Sequence, residues 1–133
     1  MIHKITHIGL AVKNMEEAEK FYTEVLSLGI SGRERVGEIK ITIIPVGDTA
    51  IELLQSTTPG GVISKFIEEK GEGIHHIAYQ VDDIAGALED LKTKGVSLID
   101  EQPRQGIHNS RIAFLNPLDS YGVVVELVEP EKS

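Results

Sequence analysis

The sequence predicts an α+β fold: two βαβββ modules related by a pseudo-twofold and joined into a single domain over residues 1–133. Three observations predict it. Thr6-His7-Ile8-Gly9-Leu10-Ala11-Val12 recurs later as His75-His76-Ile77-Ala78-Tyr79-Gln80-Val81. In both copies a strand-like stretch passes into helical spacing and then into a β-rich stretch. Each copy closes on an apolar-Glu-apolar run, Ile51-Glu52-Leu53-Leu54 in the first and Val125-Glu126-Leu127-Val128 in the second. The repeat is about half of 133 residues, a size at which a core is marginal alone, so the halves are expected to pack together.

Module one covers about residues 1–55, a linker about 56–73, and module two about 74–128. Residues 2–12 alternate, with Ile8, Leu10 and Val12 on one face and His7, Gly9 and Ala11 on the other. Gly9 and Ala11 leave open volume beside His7. Asn14 stands at an N-cap position with Glu17 three residues on, close to a capping box. Met15, Ala18, Phe21, Tyr22, Val25 and Leu26 follow at helical spacing, and Gly29 ends the helix. Residues 36–46 and 49–55 read as strands around a Gly47-Asp48 turn, whereas the glycine-rich stretch 29–35 is less regular. In the linker, Pro59-Gly60-Gly61 breaks the chain and 62–70 forms a short helix ended by Gly71 and Gly73.

Module two repeats the scheme. Asp83 caps a helix carrying Ile84, Ala87, Leu88 and Leu91, with Gly95 as its stop. Residues 96–99 read as a short strand, 100–110 as a polar loop, and 111–115 and 121–128 as the last two strands. The stretch from Glu129 to Ser133 is expected to fray.

An apolar fraction of 41% and a charged fraction of 26% are ordinary for a soluble globular chain. A net charge of −8 argues against a nucleic-acid or anionic-membrane partner. No apolar run approaches the roughly 20 residues that span a bilayer, and the N-terminus lacks the apolar core of a signal peptide. The absence of cysteine excludes disulfides and thiolate metal sites and fits a cytoplasmic location.

His7, Glu52, His76 and Glu126 carry the chemistry of the repeat. One strand His is most often structural, and one Glu in a terminal strand is most often solvated. Here both recur in matched pairs, and each Glu sits among Ile, Val and Leu, where a carboxylate is costly unless it meets water, a partner or a metal. Imidazole and carboxylate suit zinc, cobalt, nickel, manganese or iron. His75, adjacent to His76, points to the opposite strand face and reads as a packing residue. His3 and His108 read as solvent-facing, Asp82 and Asp83 as capping acids, and Asp48 and Asp119 as turn residues.

These residues resemble the vicinal-oxygen-chelate (glyoxalase/bleomycin-resistance/dioxygenase) superfamily, and within it the methylmalonyl-CoA epimerase branch. The likeness runs through residues 7–18 (HIGLAVKNMEEA), 45–54 (PVGDTAIELL), 71–84 (GEGIHHIAYQVDDI), 95–106, 113–117 and 122–128. It implies a mixed sheet cupped around a metal site, with His7, Glu52, His76 and Glu126 as ligands to one divalent ion per chain (cobalt, zinc, nickel or manganese). It also implies an acid/base pair at Glu38 and Glu126. The implied reaction interconverts (R)- and (S)-methylmalonyl-CoA through a metal-stabilised enolate. The implied partners are an acyl-CoA substrate and a second copy of the chain in a homodimer. Lactoylglutathione lyase (glyoxalase I) is the alternative enzyme, and a ligand-sequestering protein of the same fold the non-enzymatic one. The chain departs from the branch at three places. Val36-Gly37-Glu38 replaces a Pro-Glu-x-Gly stretch, Gly106-Ile107-His108-Asn109 a Gly-Ala-x-Gly, and Asn116-Pro117-Leu118 a His-Pro-Lys.

Overall fold

The computed structural model describes residues 1–132. They form two compact units, one of His7–His75 and one of Met1–Thr6 together with the chain from His76 onward. The fold is α+β, with parallel and antiparallel pairing in each unit.

In the His7–His75 unit the strands are β1 (Ile2–Ala11, from His7 on), β2 (Gly32–Val36), β3 (Ile39–Val46) and β4 (Thr49–Ser56), in the order β2-β3-β4-β1. β1 runs parallel to β4, and the other pairs are antiparallel. Helix α1 (Met15–Lys20) covers one face, where Met15, Ile44 and Leu53 are buried with Leu10, Val12, Ala18 and Tyr22 around them. Asn14 caps α1 by accepting from the Glu17 amide at 3.0 Å. Helix α2 (Val62–Lys70) lies on the other face, its Ile63 packed with Ala11, Ile41 and Leu54. The space beside His7 is therefore not open along its whole length. Ala11, expected to leave a gap, is filled over by α2.

The helix expected to continue to Leu26 turns π-helical at Phe21–Val25. The Thr23 hydroxyl donates to the Glu19 carbonyl at 2.9 Å, a back-bond that competes with the regular ladder and bends helices. The strand expected over 36–46 is two strands. Gly37, at φ 58°, makes a tight turn that sends Val36 into β2 and starts β3 at Ile39.

The second unit holds β5 (Gly73–Val81, from His76 on), α3 (Ile84–Thr93), β6 (Arg104–Gln105), β7 (Arg111–Phe114) and β8 (Val124–Glu129). Its order is β1-β5-β8-β7-β6, the first half of β1 lying on the outer side of β5. α3 covers one face through Ile84, Ala87 and Leu88, packed on Val81, Ala113, Leu115 and Leu127. Asp83 caps it as expected, accepting from the Gly86 amide at 3.1 Å.

Three expectations fail here. The strand over 96–99 reduces to one bridge, Leu98 to Leu115. Glu129 is not frayed: it is the last residue of β8, only 8% exposed, and its carboxylate accepts from the Ile84 amide at 3.0 Å. The α3 N-terminus supplies an unsatisfied donor that draws the carboxylate inward. The last strand starts at Val124 rather than 121 because Tyr121 and Gly122 take left-handed φ values of 58° and 88°.

Candidate metal centre

Each unit buries one His against one Glu. In the first, β1 and β4 set His7 opposite Ala50 and Gly9 opposite Glu52. Paired residues in a sheet share a face, so His7 and Glu52 lie on the same side, one step apart along the strands. His7 Nδ1 is 3.3 Å from a Glu52 carboxylate oxygen, and both side chains are largely buried. In the second unit β5 and β8 repeat the register: His76 faces Val124, and Ala78 faces Glu126. His76 Nε2 lies 3.1 Å from a Glu126 oxygen.

The rung that carries each Glu explains why the carboxylate has room. Its neighbour on the His strand is the smallest available, Gly9 in one unit and Ala78 in the other, and both are buried. Its neighbour on the other side is large and apolar, Ile43 for Glu52 and Phe114 for Glu126. The Phe114 ring meets the His76 ring edge-on at 5.8 Å between centroids. Glu52 and Glu126 are 7% and 5% exposed. A carboxylate so placed requires positive charge or several hydrogen bonds to offset its lost hydration. Neutral imidazole offers a nitrogen and carboxylate an oxygen, so the donor set matches a divalent ion of intermediate softness. His7, His76 and Glu126 each offer one ligand atom of this kind. No closed thiolate site is possible in a chain without cysteine.

The remaining named residues lie elsewhere. His75 packs edge-on against Phe66 of α2 with centroids 5.0 Å apart, as its strand face predicts. His3 is half-exposed and paired with Asp82 at 2.7 Å. His108 sits in a short turn at φ 53°. Glu38 holds the start of α2: its carboxylate accepts from the Val62 amide at 3.1 Å, the Thr57 amide at 3.2 Å and the Ser56 hydroxyl at 3.3 Å. The capping roles of Glu38 and Glu129 carried no sequence signal, because each acts on a helix far away in the chain.

The family model for the Glyoxalase/Bleomycin resistance protein/Dioxygenase superfamily matches residues 6–114. The chain belongs to this superfamily. Relatives of this glyoxalase-superfamily chain include the uncharacterized protein YqjC of Bacillus subtilis, 37% identical over 132 residues covering 98% of this chain and 94% of that one. They also include the ethylmalonyl-CoA/methylmalonyl-CoA epimerase of Cereibacter sphaeroides, 34% identical over 131 residues covering 96% and 98%. Among solved structures, the methylmalonyl-CoA epimerase from Mycobacterium tuberculosis superposes with a TM-score of 0.92 at 32% identity, covering 98% of this chain and 90% of that one.

Proposed function

We propose that this chain is a methylmalonyl-CoA epimerase in which His7, Glu52, His76 and Glu126 hold one divalent metal ion. The observation that carries the proposal is the duplicated rung. A buried Glu beside a His, opposite Gly or Ala, occurs once in each unit at the same register. The identity of 34% to an epimerase over nearly the whole of both chains supports the same reading.

When bound, a divalent cation of the cobalt, zinc, nickel or manganese type supplies positive charge where negative charge gathers on the substrate oxygens as the C2 proton leaves. The chain's own groups handle the proton. Inversion at C2 requires its removal from one face of the malonyl unit and its return from the other, so two positioned groups are needed. Glu126 is one of them. It is held by the parallel pairing of β5 with β8, and the Phe114 ring beside it keeps bulk water from competing for the proton. The CoA portion stays outside the chemistry and provides binding energy.

The test is to incubate (S)-methylmalonyl-CoA in D2O with the metal-loaded protein. Deuterium should enter C2 faster than in a metal-stripped control, and Glu126→Gln should lose at least about a hundredfold of that rate. Equal rates with and without protein would refute the assignment.

A further inference from the structure

We propose that Asp100 and Arg104 are positioning residues that act through Phe114 on the pair His76 and Glu126. This rests on the function proposed above, in which both members of that pair hold the metal ion.

All five residues lie in the second unit. Phe114 pairs with Glu126 across β7 and β8, so its ring leaves the sheet on the face that carries Glu126 and His76, away from α3. The ring meets the His76 imidazole edge-on, with 5.8 Å between centroids and 90° between planes. The matching place in the first unit is held by Ile43, which presents no flat wall. A ring packed against a ligand limits the directions in which the imidazole can turn, provided the ring is itself held.

The edge strand does not hold it. β6 pairs with β7 only at Arg104–Ile112 and Gln105–Arg111, so Phe114 has no ladder partner on that side. Loop residues take the strand's place. The Phe114 carbonyl accepts from the Ile99 amide at 2.9 Å and the Asp100 amide at 3.1 Å. The Phe114 amide donates to Asp100 Oδ2 at 2.9 Å, and the same oxygen lies 3.2 Å from Arg104 Nε. Arg104 faces Ile112, two residues from Phe114, so its side chain starts on the Phe114 face and reaches the ring diagonally. Its guanidinium carbon lies 5.0 Å from the ring centroid, within cation–π range.

One carboxylate oxygen thus grips both the backbone of Phe114 and the cation laid on its ring. An exposed ion pair alone contributes little. Here the Asp100 side chain is only 18% exposed, and the pair fixes where a long, mobile side chain lies. The order of support runs from Asp100 to Arg104, to the Phe114 ring, to the imidazole.

The experiment titrates metal-free protein with cobalt(II) by calorimetry, records the visible spectrum of the loaded protein and takes thermal melts. Wild type is compared with Arg104→Met, Asp100→Asn, Phe114→Leu and the double variant Arg104→Met/Phe114→Leu. Methionine keeps an apolar stem on the ring and removes the cation. Phe114→Leu should weaken cobalt binding about tenfold and shift the spectrum, since a displaced imidazole alters the ligand field. Arg104→Met and Asp100→Asn should each weaken it about two- to fivefold with a shift in the same direction. In the Phe114→Leu background, Arg104→Met should cost no further affinity, because its effect passes through the ring. Glu129→Gln, which loosens α3 on the other face, should lower the melting temperature but keep the wild-type affinity and spectrum.

Wild-type affinity and spectrum in Arg104→Met would overturn the inference. So would an undiminished loss from Arg104→Met when Phe114 is already leucine, or an equal loss of affinity in Glu129→Gln. Wild type that takes up no cobalt would overturn the metal reading itself, a result separate from all of these.

Discussion

The strand carrying Glu52 lies between β3, eight residues long, and the ten-residue β1. The strand carrying Glu126 borders β7, of four residues, with only the two-residue β6 beyond. In the first unit α1 passes through the π-helical turn at Phe21–Val25 into an edge strand that Arg33 fastens to Glu19. In the second, α3 is followed by one bridge and a loop in which Asp100 ties Arg104 and the Phe114 amide. Yet the His–Glu rungs are alike in register and in burial. The comparison teaches that the rung needs only its two inner strands. Differences accumulate toward the sheet edges and loops, the parts of a fold that vary most.

The largest test of that equivalence removes one imidazole from each rung. His7→Ala and His76→Ala should each cut divalent-metal affinity beyond the roughly 10- to 100-fold that loss of a supporting partner costs. Calorimetric titration with zinc or cobalt reads this directly. A loss confined to one variant would show that the two rungs do not share a single ion.

A smaller effect separates the helix caps. Glu129 is buried and also lies 3.6 Å from Arg111. Glu129→Gln should therefore cost about 1–3 kcal/mol, and Glu38→Gln about 0.5–2 kcal/mol. Melting temperatures would then drop by several degrees, more for Glu129. The reverse order would mean that the half-buried cap on α2 matters more than the buried one on α3.

The smallest concerns the edge of the first unit. The Arg33 guanidinium on Glu19, helped by the Thr42 hydroxyl, holds that carboxyl below the ordinary range in spite of its burial. A depressed folded pKa contributes stability that is complete above the unfolded value, roughly 4.3, and is lost as pH falls through the folded value. The difference in melting temperature between wild type and Glu19→Gln should be constant near neutrality and shrink below about pH 4. A gap independent of pH would show that packing, not charge, holds the edge.

The repeat made much of this legible from sequence. The matching stretches around His7 and His76 fixed where the strands and their inner faces fall, and Asn14 and Asp83 marked the helix starts. The apolar-Glu-apolar run that closes each copy of the repeat marked Glu52 and Glu126, and both fall in regular strands. Illegible were the features that depend on distant partners. Nothing near Glu38 or Glu129 announces the helix each one caps. The strand at 96–99 failed for the opposite reason: its apolar spacing served the α3 core, where Val96 and Leu98 pack, rather than a ladder.

β1 belongs to both units, its first residues as far as Thr6 to one and the rest to the other. The Thr6 hydroxyl donates to the Ala78 carbonyl and His3 reaches Asp82, so the second unit borrows its border strand from the opposite end of the chain. The seam of the structure and the seam of the repeat therefore fall at different residues. A gene cut at the glycine-rich linker would not yield two self-sufficient halves. The downstream fragment would present a bare flank of β5, and an unpaired strand edge recruits whatever strand it meets. A second copy could supply that strand by exchange; in the intact chain, the residues before His7 keep the place filled.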